Sequence, residues 1–184
     1  PPHRGHGMVL DHASKIADSI GDNDKADQRF YTSRSQDPKK NPLPYEVKLD
    51  HLKRMFPQHA QKWDDDSNIR TIMNAAQKAD GEGYKNFHFV GGGDRRQGME
   101  DLMRKYNGDL YNFDNIYSHS AGERQEQDPG MIGQLGKDGR RPIEQISASM
   151  MRKAAQNGNL DEFIDGLNIE DKGYTMEDAR ELFN

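Results

Sequence analysis

Asn86-Phe87-His88-Phe89-Val90 runs straight into Gly91-Gly92-Gly93-Asp94-Arg95. The first five residues are rich in strand formers and read as a buried strand. The glycines end it, and a helix follows. Met99, Leu102, Met103 and Tyr106 recur on its inner face, and Gly108 is its stop. The pattern repeats downstream, where Ile116-Tyr117-Ser118-His119-Ser120 is a strand that enters Ala121-Gly122-Glu123-Arg124. Strands alternating with helices need crossover connections, and these give a parallel sheet. The chain is therefore read as α/β. In such sheets ligands bind outside the carboxyl ends of the strands. The glycine-rich ends at 91–93 and 121–122 lie where that rule expects a site.

Toward the N-terminus, Ile69, Ile72, Met73 and Ala76 predict a helix capped by Ser67 and closed by Gly81. The stretch 59–66 is polar and reads as surface, with Trp63 covering a core edge. Its Asp64-Asp65-Asp66 run reads as a solvated approach to a helix rather than as a metal site. Tyr45, Leu49, Leu52 and Phe56 predict a helix between Pro44 and Pro57. Residues 35–44 are a loop dense in turn formers, and 29–33 read as a short strand. Val9, Ala13, Ile16, Ala17 and Ile20 predict a helix stopped by Gly21.

Toward the C-terminus, 125–145 is a long polar segment, of the length that is usually functional or mobile. Ser147 caps a helix that reaches Ala155 and ends at Gly158. Leu160, Phe163, Ile164 and Leu167 form another, and Thr175-Met176-Glu177-Asp178 reads as a capping box for a last one. Residues 159–184 are thus a helical extension of a single domain spanning 1–184.

The chain has 184 residues, 32% of them hydrophobic, enough for one core. Mean hydropathy is −1.12, so that core must be small and the loops long. A net charge of −5, with signs interspersed, argues against general nucleic-acid or membrane-surface binding. No cysteine is present, which removes disulfides and thiolate metal sites. No apolar run approaches the ~20 residues that span a bilayer. His51, His59, His88 and His119 show no metal-ligand spacing.

Two stretches carry chemistry. His3-Arg4-Gly5-His6 precedes the first helix. Its glycine admits a ligand to the backbone, and the helix N-terminus behind it suits phosphate. Two imidazoles there can donate to the same phosphate as charge builds in a transition state. Ile146-Ser147-Ala148-Ser149-Met150-Met151-Arg152 opens a later helix, with two hydroxyls at its start and a fixed cation one turn on. Taken alone, each is also an ordinary turn or cap.

Together, HxGH and ISxSxxR resemble the signature pair of the HxGH nucleotidyltransferase superfamily. That family includes nicotinamide-mononucleotide and phosphopantetheine adenylyltransferases and the cytidylyltransferases. Ser35-Gln36-Asp37-Pro38-Lys39-Lys40-Asn41-Pro42 looks like the family's lysine-bearing loop, and Val90-Gly91-Gly92-Gly93-Asp94-Arg95 like its GxD strand end. The overall pattern looks closest to members encoded by bacteriophages. The resemblance implies a Rossmann-like parallel sheet flanked by helices. The family's first strand precedes the HxGH loop, and this chain begins after that point, so the chain is expected to be part of a longer polypeptide.

The implied reaction transfers a nucleoside monophosphate from ATP or CTP to a phosphate-bearing small-molecule acceptor and releases pyrophosphate. Mg2+ would travel on the triphosphate. By the same resemblance His3 and His6 stabilise the α-phosphate, and Gly5 lets the nucleotide approach. Lys39 or Lys40 holds phosphate or acceptor, Gly92 and Asp94 touch the nucleoside, and Ser147, Ser149 and Arg152 hold the β- and γ-phosphates. The arginine-bearing second motif favours AMP over CMP. A cytoplasmic location is implied, that of the host for a phage protein. The alternative is a nucleotidyltransferase-like module with a structural role in a larger chain or a virus particle.

Overall fold

The computed structural model describes residues 1–21, 26–121, 139–169 and 173–184. Most of the 125–145 segment and the 122–124 turn lie outside the described residues. In order come α1 (Gly5–Ile20), α2 (Tyr45–Met55), α3 (Ile72–Gly81), β1 (Asn86–Gly91), α4 (Gly93–Lys105), β2 (Asn115–Ser120), α5 (Ala148–Gln156), α6 (Leu160–Asp165) and α7 (Met176–Phe183). β1 and β2 pair in parallel, Asn86 opposite Asn115 through Gly91 opposite Ser120. The fold is thus a mixed one, with helices around a small parallel sheet that has two strands among the described residues. No helix among those residues is long and apolar enough to cross a membrane.

The chain divides into two compact units. The first gathers residues 1–10, 29–63 and 125–184, and the second 11–28 and 64–124. α1 contributes its first part to one and its second part to the other.

In the second unit Phe89, Met103, Tyr111, Phe113, Ile116 and Ala76 form the core. β1 and β2 supply Phe89 and Ile116 because alternate residues of a strand share a face. α4 is tied to β2 by Arg104, which donates to Ile116 O at 2.7 Å, and by Arg96, which donates to Ser118 Oγ at 2.8 Å. Leu102, expected inward, is 38% exposed, because the helix turns Met103 fully into the core instead. The cap of α3 is Thr71 rather than Ser67. Thr71 Oγ1 accepts from Asn74 N, and the Asn74 side chain accepts from Thr71 N, which closes a capping box. Asp64 and Asp66 both pair with Lys78, at 2.7 and 3.2 Å, so that acidic run closes an ion pair.

In the first unit α2 packs its Leu49, Leu52, Met55 face inward, α5, α6 and α7 bury Met151, Phe163, Ala179 and Leu182, and Leu167 just after α6 is buried with them. The described helices of the 159–184 stretch are therefore part of this core. The strand expected over 29–33 is reduced to a single bridge between Phe30 and Trp63. The stretch after α2 is not all surface. Pro57–Lys62 forms a 3-10 helix that buries His59 edge-on against Phe30, ring centroids 5.5 Å apart.

α7 is fastened to α2 by a polar network. Arg54 pairs with Asp178, and with Glu181 at 3.2 Å. It also donates to His51 Nε2 at 3.5 Å, which leaves His51 Nδ1 to donate to the Tyr174 hydroxyl at 2.5 Å. An arginine can only donate, and that fixes the tautomer.

Candidate functional site

The HxGH residues fold into the first turn of α1. His6 N donates to His3 O at 2.9 Å, and Gly7 N to Arg4 O at 3.0 Å. The two imidazoles lie together, centroids 4.0 Å apart and planes 38° apart. His6 Nδ1 sits 3.1 Å from the backbone amide of His3. The same nitrogen sits 3.1 Å from His3 O, so it accepts from the amide in one tautomer and donates to the carbonyl in the other. Nε2 carries a proton in the first of these tautomers and in the imidazolium, and is a donor in both. The first turn of α1 contains no acidic residue, so nothing there opposes the positive end of the helix dipole.

Glycine at position 5 has a local cause. A Cβ there would lie 2.9 Å from His3 Nδ1 and 3.9 Å from Ile146 O. The first contact shows that the His3 ring lies over the glycine. The second places the HxGH turn against the backbone that leads into ISxSxxR. At Gly7 a Cβ would meet the Phe56 ring at 2.8 Å, so α1 approaches α2 closely there as well.

Arg4 does not join the imidazoles. Its amide donates to Gly166 O at 2.9 Å, its Nε to Asp165 O at 2.9 Å, and its terminal nitrogen to Arg141 O. Arg141 in turn meets Glu162 at 3.4 Å and Asp165 at 3.6 Å. The variable position of HxGH is therefore the strap that holds the turn to the end of α6.

Ser147 is the N-cap of α5 and accepts from Met150 N at 3.2 Å. Ser149 is exposed and accepts from Arg152 at 3.1 Å. Among the described residues that hydroxyl is the one partner of the Arg152 guanidinium.

Lys39 and Lys40 occupy an exposed turn. Their amides each donate to Asp37 Oδ1 at 2.8 Å, and Asp37 bridges Asn41. The Lys40 and then the Lys39 amide bond hold the Asp37 carboxyl below its usual range. The lysine that the sequence reading passed over is Lys48, 5% exposed, on the inner face of α2. Its Nζ donates to Ser33 O at 2.5 Å, Ser35 O at 3.2 Å and Asn41 Oδ1 at 3.2 Å. All three acceptors are neutral, and burial lowers its pKa. Its position three residues after Tyr45, on the apolar stripe, was the available signal.

The first unit therefore assembles His3, Gly5, His6, Ser147, Ser149 and Arg152, with Lys48 added and Lys39 and Lys40 on the neighbouring loop. Gly92 and Asp94 belong to the second unit. Gly92 is exposed as the N-cap of α4, Asp94 stands in the first turn of that helix, and its side chain lies outside what is described. No group of three or more His, Asp or Glu among the described residues could hold a metal ion. Compared with known families, curated proteins and solved structures, the chain matches none.

Proposed function

We propose that the chain is a nucleotidyltransferase of the HxGH kind on a Rossmann-like scaffold. It would move AMP, in preference to CMP, from a nucleoside triphosphate to a phosphate-bearing acceptor. The observation that carries this reading is the contact of the two motif backbones inside one unit, 3.9 Å from the Gly5 Cβ position to Ile146 O. Motifs more than a hundred residues apart in sequence have no local reason to touch. Arg152 and Lys48 are two cations of the same unit, and the triphosphate would draw on their charge.

In the proposed reaction an acceptor oxygen attacks the α-phosphorus in line. A new O–P bond forms as the bond to the β-phosphate oxygen breaks, and pyrophosphate departs with the Mg2+ it carries. His6 Nε2–H donates to the α-phosphate as its charge rises, with His3 beside it. A donor so placed contributes on the order of 10²–10³ in rate. Arg152 and the Ser149 hydroxyl hold the departing phosphates. Lys48 orders the 33–41 loop that carries Lys39 and Lys40 toward the acceptor.

A structural module is the second reading, and the burial of His3, 5% exposed, favours it. Pyrophosphate release decides between the two. The intact chain is incubated with Mg-ATP or Mg-CTP and with nicotinamide mononucleotide, phosphopantetheine, or a sugar or lipid phosphate. Release that needs both triphosphate and acceptor, and is lost in His6→Ala, supports the enzyme. Neither binding nor turnover of any triphosphate by the folded chain refutes it.

A further inference from the structure

The sheet carries a second pair of histidines, 31 residues apart in sequence. The register sets His88 opposite Tyr117 and Val90 opposite His119. His88, Tyr117 and His119 therefore share one face, and Phe89, Ile116 and Ser118 share the other. His88 Nδ1 lies 2.9 Å from His119 Nε2. The ring centroids are 5.2 Å apart with planes 11° apart, the geometry of a bond lying in the plane of both rings. Tyr117 stacks on His88 at 4.4 Å and is itself 43% exposed.

Such a bond needs one hydrogen between the two facing nitrogens. Two neutral rings supply it, and so do one imidazole and one imidazolium. Two imidazolium rings cannot form it, because both facing nitrogens then carry hydrogen and both rings carry charge. The surroundings do not relieve that conflict. Burial first and the His119 charge second lower the pKa of His88. Burial first and His12 of α1 second lower that of His119. No carboxylate among the described residues enters either balance. Glu100 and Arg96 of α4 are bound to Ser118 on the opposite face.

We propose that the His88–His119 bond is an acid-released latch across the carboxyl ends of β1 and β2. It stays closed while either ring is neutral and opens when both are protonated. Beyond it the ladder has one more rung, Ala121 N to Gly91 O at 3.2 Å, and then the glycine-rich turn into α4. The sign follows from linkage: the closed sheet holds fewer protons on this pair than the open one, so acid drives opening. The inference does not depend on the proposed transferase activity.

The test is a nitrogen-detected NMR titration of the intact chain from pH 8 to 4, with a chelator present so that only protons compete for the ring nitrogens. Amide exchange at Ala121 and along β1 and β2 is followed in parallel. Two coupled steps are expected, both below the ordinary histidine range. Protection of Ala121, corrected for intrinsic exchange, should fall with the second step, by about tenfold for each pH unit between the closed and open pKa values. In His119→Gln, His88 should titrate in a single step and the acid-dependent loss of protection should vanish. Independent single steps at ordinary histidine pH would overturn the latch. So would protection that is unchanged across the second step, or acid-driven opening that persists in the Gln variant.

Discussion

A single methyl group added at Gly166 should disrupt the first unit. Gly166 closes α6 with φ of −77°, a conformation alanine adopts freely, so space is the only obstacle. A Cβ there would overlap the Met151 sulfur outright. It would also come within 3.0 Å of Met151 Cε and 3.3 Å of Phe163 O. Met151 and Leu167 beside it are fully buried, so the sulfur cannot swing into solvent. Overpacking of a tight core costs about 1–3 kcal/mol, and this overlap belongs at the upper end. For a chain of this size, about 3 kcal/mol lowers Tm by roughly 6–12 °C. Gly166→Ala can be followed by urea unfolding with Trp63, the one tryptophan, as a fluorescent probe in the first unit. Met151→Ala alone should cost about 2–5 kcal/mol through the cavity it leaves. In the double variant the new methyl occupies part of that cavity. The two costs should therefore fall short of their sum by about 2 kcal/mol, well beyond the scatter of independent sites. Gly166→Ala with an unchanged urea midpoint, or strict additivity in the double variant, would refute this account of the packing. Gly166 O also accepts the Arg4 amide, so nucleotide binding should weaken in the same variant.

Arg152→Ala should leave the urea midpoint within about 0.5 kcal/mol, since the guanidinium bonds one exposed hydroxyl; loss of a charged donor should still weaken Mg-ATP binding by roughly tenfold to a hundredfold, read as a reduced thermal shift. Lys48→Met strands three oxygens of the 33–41 loop and should cost about 1–3 kcal/mol, with faster amide exchange at Lys39 and Lys40. Burial raises the Asp178 pKa, but its bonds from the Thr175 amide and hydroxyl and from Arg54 outweigh that and leave it lowered. Its contribution is then full above the unfolded carboxyl value and is lost as pH falls through the folded one. Asp178→Asn should accordingly cost about 1–3 kcal/mol at pH 7 and almost nothing at pH 2, measured by denaturant unfolding at both.

The helices were legible because their signals are local. The apolar stripe of α2, the Ser147 cap of α5 and the Thr175 capping box of α7 need only neighbouring residues. The two-strand parallel pairing was legible for a similar reason, since Phe87–Val90 and Ile116–Ser120 bracket a helix of the length a crossover needs. Competition among local signals misled at α3, where Ser67 and Thr71 are both acceptable caps. Thr71 wins because Asn74, three residues on, returns the bond, whereas Arg70, three residues after Ser67, has no acceptor with which to return one. The burial of Lys48 and His59 depends on what the rest of the chain places over them, which no window of sequence contains. The motif residues were found by type and spacing. The role of Arg4 as a strap was not, because its partners Arg141, Asp165 and Gly166 carry no recognisable pattern. The His88–His119 bond follows from strand register, which two short strands do not reveal on their own.

The first unit is threaded from three separated pieces of chain, and that order has a consequence during synthesis. Residues 64–124 leave the ribosome as a nearly continuous block of local contacts, so the second unit can consolidate early. The first unit cannot. His51, Arg54 and Met55 of α2 have to wait for Tyr174, Asp178 and Asn168, more than a hundred residues later. Contacts that distant slow folding and leave apolar surface uncovered meanwhile. For that interval the Leu49, Leu52 and Met55 face of α2 is a natural target for chaperones, and the emergence of α7 ends it.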